Sequence, residues 1–210
     1  MSSNAAAGPL VWIVSGPSGS GKTTLCQALL RDPFWKKRIM RSVSYTTRAL
    51  RPQEKNGHDY RRVTPDEFRK MAGRKAFLEY EKIFGSYYGT PRSVLEEARR
   101  RKKDVLLCID VKGARTVRRQ LGRCRVFSIF LLTPQPGALS LRLKGRSTEG
   151  KKDIEKRLKR VKIELSHMKQ YDYIVVNDRI QEALRKIKSI LTAKMCEEEY
   201  ALRSFREADR

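Results

Sequence analysis

"LVWIVSGPSGSGKTT", residues 10 to 24, decides the fold class of this 210-residue chain. Its first six residues form an apolar run with the length of a buried strand, and a helical pattern follows over Lys22–Arg31. Between them, Gly16, Gly21, Lys22 and Thr23 satisfy the spacing G-x-x-x-x-G-K-[ST]. A strand, a glycine-rich loop and a helix in this order predict a phosphate-binding loop on a parallel sheet.

The loop supplies the groups that bind a nucleoside triphosphate. Glycines allow backbone N–H groups to turn inward around phosphates, and the helix N-terminus adds partial positive charge. Lys22 is placed to reach the β- and γ-phosphate oxygens, and the Thr23 hydroxyl to contact Mg²⁺, the predicted cofactor. The predicted site consists of Gly16, Ser18, Gly19, Ser20, Gly21, Lys22, Thr23 and Thr24.

Strand-like and helical patterns alternate along the rest of the chain. Apolar runs predict strands near 39–43, 104–110, 125–132 and 171–177, and two more on either side of a turn at Gly85. Helical spacing covers residues 93–101, a segment that begins at 153, and residues 180–195, and Thr64 with Glu67 forms a capping box. This alternation predicts an α/β fold with a parallel sheet core and helices on both faces.

One strand end is unusual for a nucleotide-binding protein. The run 104–110 is expected to break into a turn at Gly113, so that Cys108 and Asp110, two residues apart, face the same side. A carboxylate near such a strand end often helps to hold Mg²⁺. Here a thiol stands in the first candidate position, and an unperturbed thiol is neutral and a poor magnesium ligand.

The net charge indicates anionic partners. The chain has 47 Lys and Arg against 23 Asp and Glu, a formal charge of +24, which concentrates phosphates and nucleic acid near the surface. Because the basic residues are spread over many segments, a solvated basic surface is favoured over a nucleic-acid footprint. Nucleic acid is an open alternative as a partner, but it is not expected.

Other global features concern the compartment. No apolar run approaches the roughly 20 residues that span a bilayer, and the N-terminus lacks the pattern of a signal peptide. The cysteines are scattered, which favours reduced thiols over a zinc site or a disulfide framework: they are Cys26, Cys108, Cys124 and Cys196. We expect a cytoplasmic protein without a membrane partner, and either a monomer or a homodimer.

Several further motifs resemble those of guanylate kinases, in the same order from residue 11 to residue 191. They are "SVSYTTRALRPQEKNGHDY", "FLEYEKIFGSYYGTP", "IDVKGA", "RLKGRSTE" and "YDYIVVND". The resemblance implies transfer of the ATP γ-phosphoryl group to GMP, and also to dGMP, with Mg²⁺ as cofactor. It divides the chain into a P-loop core (9–43, 91–138 and 166–195), a GMP-binding insert (44–90), a lid (139–165), and a flexible arm and tail (1–8 and 196–210).

The resemblance also implies the roles of individual residues. Arginine forks suit phosphate, and guanine offers two N–H donors to a carboxylate. For GMP, the matching residues are Arg48, Arg51, Tyr60 and Tyr88 at the phosphate, and Glu79 with Ser44, Thr90 and Asp110 near the base. For ATP and the transferred group, they are Asn177 near the adenine, and Lys22 with the catalytic arginines Arg142, Arg146 and Arg157.

The chain departs from the family pattern mainly at the strand end. Cys108 stands where the family has an acid, and Lys112 stands where it has glutamine. Leu50, Gln53 and Ser147 are milder departures in loops. Our hypothesis is that Thr23, the ATP phosphates and water hold most of the metal shell, while Asp110 orients GMP or a water molecule.

Three alternatives remain at this point. The chain could be a P-loop kinase for another small phosphorylated acceptor, or a nucleic-acid-binding protein that uses its charge. It could also be a non-catalytic guanylate-kinase-like binding domain. Such domains usually have a degraded phosphate loop, and the intact Lys22 and Thr23 weigh against that interpretation.

Overall fold

The computed structural model of the chain describes residues 8–122, 125–134, 161–197 and 200. Its strands, in chain order, are β1 (Val11–Ser15), β2 (Ile39–Arg41), β3 (Tyr45–Thr46), β4 (Arg61–Arg62), β5 (Phe77–Ile83), β6 (Ser86–Pro91), β7 (Asp104–Cys108), β8 (Val126–Leu132) and β9 (Tyr173–Val176). The helices are α1 (Lys22–Arg31), α2 (Pro33–Arg38), α3 (Pro65–Gly73), α4 (Ser93–Arg100), α5 (Val111–Leu121) and α6 (Ile180–Met195). Residues 161–166 are also helical.

Five parallel strands form the central sheet, in the order β2-β7-β1-β8-β9. β1 lies in the middle, where Val11 pairs with Val105 of β7 and with Val126 of β8. Parallel strands need crossover connections, and helices in those connections cover the faces of the sheet. The predicted parallel α/β core is confirmed.

Alternating residues of β1 build a core on each face of the sheet. Trp12 and Val14 pack with Leu25 and Leu29 of α1 and with the apolar face of α6. On the opposite face, Val11 and Ile13 belong to a second buried cluster that includes Val94 and Ala98 of α4 and Ala114 and Val117 of α5. Helices therefore flank both faces, as the sequence predicts.

A second sheet, in the order β4-β3-β6-β5, is formed by residues between the first strands of the core and α4. β5 and β6 are an antiparallel hairpin, and β3 pairs antiparallel with β6. Phe68 of α3 is buried and stacks on Phe77 at 4.5 Å and on Tyr87 at 5.2 Å between ring centroids. These aromatic contacts attach α3 to the sheet.

The start of α3 confirms a local prediction. The Thr64 hydroxyl accepts from the Glu67 backbone N–H at 3.2 Å, and the Glu67 carboxylate accepts from the Thr64 N–H at 2.7 Å. Pro65 follows at the first helical position. The capping box is therefore formed with both of its hydrogen bonds.

The end of β7 differs from the prediction. The strand ends at Cys108, two residues earlier than expected, and Gly113 lies inside α5 instead of in a turn. Asp110 is the N-cap of this helix, and its Oδ1 accepts from the Gly113 N–H at 2.8 Å. The end of β7 is therefore followed by a helix, as the end of β1 is followed by α1 after the phosphate loop. This helix, α5, was not predicted from the sequence.

Two further differences are local. α2 was not predicted, although Asp32 caps it by accepting from the Phe34 N–H at 2.9 Å and Pro33 occupies its first position. The two-residue strands β3 and β4 were also not predicted. None of the described helices combines the length and the apolar composition of a membrane span.

Candidate active site

A cavity of about 260 Å³ lies where the carboxyl ends of β1 and β7 face the second sheet. Ligands of parallel α/β proteins commonly bind beyond the carboxyl ends of the strands. The core lines the cavity with Ser18, Lys22, Thr23, Cys108, Ile109 and Asp110, and Glu164 of the helical residues 161–166 also lines it. The second sheet and its loops contribute Ser44, Arg48, Arg51, Tyr60, Glu79, Glu81, Ile83, Phe84, Ser86 and Tyr88.

The phosphate loop owes its shape to backbone conformations that glycine adopts without strain. Gly16, Gly19 and Gly21 have φ angles of 137°, 88° and 90°. At Gly16, a Cβ atom would also lie 2.4 Å from the Leu131 carbonyl oxygen. Lys22 Nζ donates to the carbonyl oxygens of Gly16 at 2.7 Å and Pro17 at 3.0 Å, so its ammonium group is held across the loop.

Asn177 is hydrogen-bonded to the phosphate loop from the end of β9. Its Nδ2 donates to the Ser20 carbonyl oxygen at 2.7 Å, and the side chain is buried. A Cβ atom at Gly21 would lie 2.4 Å from the same Nδ2. Asn177 does not line the cavity, so its adenine contact stays a prediction, while its contact with the loop is a feature that the sequence did not indicate.

The predicted phosphate-binding residues lie together on one side of the cavity. Arg48 Nε donates to the Tyr88 hydroxyl at 3.0 Å, and the Tyr60 and Tyr88 rings lie 5.9 Å apart. Burial raises the pKa of Tyr60 to about 12, so its hydroxyl stays protonated and can donate at neutral pH. Arg51, which is more exposed, lines the same cavity.

Glu54 holds these arginines and was missed by the sequence reasoning. Both of its carboxylate oxygens accept from Arg48 Nη2, at 2.9 and 2.7 Å, and one also accepts from the Arg51 N–H at 2.9 Å. Its side chain is only 16% exposed. An acid between basic residues in "TTRALRPQEKNG" was the available signal, but its partners depend on how the loop folds.

Glu79 presents the only buried carboxylate that the sequence assigned to the base. It is 7% exposed, and the Thr90 hydroxyl donates to its Oε1 at 2.5 Å. Burial raises the pKa of Glu79 to about 7, and the charge of Asp110 acts in the same direction. Thr90 is fully buried and contacts Glu79, while Ser44 lines the cavity directly.

Cys108 and Asp110 both line the cavity, although the strand ends between them. The pKa of Cys108 lies below its ordinary value because the Cys26 thiol donates to it, and Lys22 and Thr23 act in the same direction. The surroundings of Cys108 therefore favour the thiolate more than an unperturbed thiol would. Sulfur is still a poor ligand for Mg²⁺, which prefers oxygen.

The donor set fits a magnesium ion that is bound mainly through substrate. Among the residues that the structure describes, no group of three or more His, Cys, Asp or Glu is arranged to hold a metal. Mg²⁺ commonly takes one or two protein oxygens and fills its shell with substrate phosphates and water. Thr23, at the first turn of α1, and Asp110 are oxygen donors on the same cavity.

The structure thus brings half of the twenty predicted site residues to one cavity. Ten predicted residues line the cavity: Ser18, Lys22, Thr23, Ser44, Arg48, Arg51, Tyr60, Glu79, Tyr88 and Asp110. Thr24 lines a neighbouring cavity of about 330 Å³. The predicted catalytic arginines Arg142, Arg146 and Arg157, and most of the predicted lid, lie outside the described residues. Glu164, buried at the cavity, was not predicted.

A phosphate loop that faces a separate sheet bearing arginines and a buried acid defines the class of P-loop phosphotransferases with a phosphorylated acceptor. The family model described as guanylate kinase matches residues 9–194. This chain belongs to the guanylate kinase family.

Individual relatives agree with this assignment. The guanylate kinase of Salmonella typhimurium is 44% identical over 185 residues, which cover 88% of this chain and 87% of the relative. That of Escherichia coli K12 is 43% identical with the same coverage. The crystal structure of guanylate kinase from Anaplasma phagocytophilum superposes with a TM-score of 0.72 at 32% identity, covering 91% of this chain and 88% of the other.

Proposed function

We propose that the chain transfers the γ-phosphoryl group of ATP reversibly to GMP, and also to dGMP, giving ADP and GDP or dGDP, a reaction of purine nucleotide metabolism. The observation that carries the proposal is the single cavity shared by Lys22, Arg48 and Glu79. These three residues supply a group for the donor phosphates, a group for the acceptor phosphate and a group for the base. A binding domain without catalysis would not need all three.

The acceptor is selected by complementary hydrogen bonds. The guanine edge offers the N1–H and the N2 amine, and the Glu79 carboxylate can accept both. Adenine has an acceptor at N1, so it would leave a buried carboxylate facing a lone pair. Buried polar groups that lose their partners are costly, and this discriminates strongly between bases.

The acceptor phosphate would bind between Arg48, Arg51, Tyr60 and Tyr88. Two guanidinium groups supply charge-assisted donors, and the two hydroxyls add neutral ones. Holding this phosphate fixes one of its oxygens towards the triphosphate at the loop. Positioning of this kind is a large part of phosphoryl-transfer catalysis.

In the chemical step, a phosphate oxygen of GMP forms a bond to the γ-phosphorus, and the bond from that phosphorus to the β–γ bridging oxygen breaks. The attacking oxygen is already anionic at neutral pH, so no general base is required. Lys22 would neutralise charge on the β- and γ-oxygens, and Thr23 would hold Mg²⁺, which adds positive charge when bound. Arg142, Arg146 and Arg157 are proposed to contact the migrating group.

The proposal also assigns roles to the inserted segment, to the lid and to Asp110. Residues 44–90 would act as the GMP-binding insert and residues 139–165 as a lid over ATP. Asp110, which caps α5 at the cavity, would orient GMP or a metal-bound water. Cytoplasmic location stays a prediction, as does the choice between monomer and homodimer.

A coupled assay of ADP formation tests the proposal. GMP, dGMP, AMP, UMP and TMP are compared at saturating ATP over a range of magnesium concentrations, with Lys22→Met as the inactive control. We expect turnover with GMP and dGMP, and little with the other three. Absence of turnover with GMP at every magnesium concentration refutes the proposal, and preference for another acceptor supports the alternative kinase.

A further inference from the structure

Gly113 lies in the first turn of α5, directly against the Glu79 carboxylate. A Cβ atom built on Gly113 would lie 2.6 Å from Glu79 Oε2, 3.0 Å from its Cδ and 3.4 Å from Asp110 Oδ1. The first distance is well inside van der Waals contact. The absence of a side chain at Gly113 therefore leaves the space that one oxygen of Glu79 occupies.

The backbone does not explain why glycine stands here. Gly113 is helical and is not among the glycines with positive φ. In the interior of a helix, alanine is more favourable than glycine, because glycine has more conformational freedom to lose on folding. The glycine costs the helix stability, and the close approach to Glu79 is the feature that requires it.

Glu79 has little freedom to move aside without losing its role. Its other oxygen, Oε1, accepts from the buried Thr90 hydroxyl at 2.5 Å, and the residue is 7% exposed. The contact at Gly113 is with the end of a flexible side chain and not with backbone. A methyl group at position 113 would therefore be absorbed by displacement of the carboxylate, while α5 could keep its place.

We propose that Gly113 is a positioning residue for base selection, because it leaves the volume in which the Glu79 carboxylate stands towards the guanine edge. This inference rests on the proposed reading of guanine by Glu79. To accept from both N1–H and the N2 amine of guanine, the carboxylate must have the correct position and the correct tilt. IMP lacks the N2 amine, so it depends less on that tilt.

The test compares GMP and IMP as acceptors for the wild-type enzyme and for Gly113→Ala. We expect Gly113→Ala to lower kcat/KM for GMP about tenfold to a hundredfold, mainly through KM, because a charge-assisted hydrogen bond is lost or bent. The loss for IMP should be about tenfold smaller, and the KM for ATP should not change. The melting temperature should stay the same or rise, because alanine favours the helix.

Gly73→Ala is the matched control. Gly73 also lies in a helix, α3, and a Cβ atom there would have nothing within 4 Å. This variant should retain wild-type kinetics with both acceptors. A second comparison uses Glu79→Asp, whose carboxylate is one methylene shorter and withdraws from an added methyl group. In that background, Gly113→Ala should cost little further activity.

The outcomes separate failure of this inference from failure of the proposed function. If Glu79→Gln leaves the ratio of GMP to IMP activity unchanged, the reading of guanine by Glu79 is wrong. Suppose instead that Glu79→Gln lowers that ratio. The inference about Gly113 is then wrong if Gly113→Ala shows wild-type kinetics or loses activity equally with GMP and IMP. It is also wrong if the effect of Gly113→Ala is additive with that of Glu79→Asp. Failure of Gly113→Ala to fold would also overturn it, because α5 and not the carboxylate would then absorb the methyl group.

Discussion

In the proposed reaction, the buried Glu79 must carry a negative charge to accept from guanine, so use of GMP should depend on pH. Its pKa is raised from 4.5 to about 7, chiefly by burial. Below that pH the protonated carboxyl can no longer accept both guanine donors. We expect kcat/KM for GMP to fall by up to tenfold per pH unit below about 7, since kcat/KM reports the ionisation of the free enzyme.

Glu79→Gln isolates this effect. The GMP phosphate also titrates, with a second pKa of about 6, and it contributes equally to both enzymes. The measurement is therefore the difference between the two profiles of kcat/KM from pH 5.5 to 8.5, at saturating ATP. Parallel profiles would show that Glu79 does not titrate in this range.

Glu54 would affect binding of GMP through its contacts with Arg48 and Arg51. Glu54→Gln removes the charge that fixes Arg48 and Arg51, and two long side chains must then be ordered by the substrate. Immobilising each costs roughly 0.5–1.5 kcal/mol, whereas an exposed charge gained near the phosphate returns less than about 1 kcal/mol. We expect the KM for GMP to rise about fivefold to tenfold, with kcat nearly unchanged, in steady-state kinetics.

Glu97→Gln is the control for Glu54→Gln. Glu97 of α4 pairs with Arg101, the residue after the helix, at 2.6 Å and does not line the cavity. Removing this ion pair should leave the KM for GMP at its wild-type value. A lower KM in Glu54→Gln would instead show that Glu54 competes with the substrate phosphate for the arginines.

At the scale of elements, the end of β9 is tied to the phosphate loop through Asn177. Asn177→Ala removes the donor to the buried Ser20 carbonyl oxygen, which costs about 1–3 kcal/mol when no partner replaces it. We expect the KM for ATP to rise about tenfold or more, with a smaller effect on the KM for GMP.

Asp178→Ala, at the next residue, is the control, because Asp178 is exposed. It should leave the kinetics with ATP unchanged. An equal effect of Asn177→Ala on both substrates would indicate a general loss of stability, which thermal denaturation can measure.

Some helices and strands could be predicted from local sequence, and others could not. β1, the loop and α1 were predictable because an apolar run, a glycine spacing and a helical period follow each other without a break. α5 was not, because the apolar run continues past Cys108 to Ile109 and Val111 and conceals the start of the helix. β3 and β4 have two residues each and exist through pairing with distant chain, which leaves no local signal.

The residues of the candidate site also fall into those that the sequence predicts and those that only the fold reveals. The residues of the phosphate loop follow from their spacing, and Arg48 and Glu79 followed from motifs typical of the family. The contacts of Glu54 with Arg48 and of Gly113 with Glu79 arise where separate segments pack together, so they could only be found from the fold. The lid arginines lie outside the described residues and stay predictions.

For the whole molecule, the charge of +24 bears on how the anionic substrates are captured. A positive field raises the rate of encounter with phosphates, and salt weakens it by shortening the screening length from about 30 Å at 0.01 M to about 8 Å at 0.15 M. We expect kcat/KM for GMP to fall several-fold over this range while kcat changes little. If kcat/KM for GMP in the coupled assay does not change with salt, the positive charge has another role, and nucleic-acid binding becomes the alternative to test.

The position of β1 in the middle of the sheet has a consequence for biosynthesis. Val11 is translated well before its pairing partners Val105 and Val126. Until both neighbours arrive, an apolar strand and the loop after it have no sheet to join. Parallel pairing over such separations is slow to form and exposes the strand to aggregation. The sheet beneath the triphosphate site can therefore be complete only after β7 and β8 have been translated, and until then β1 is open to pairing with the wrong partners.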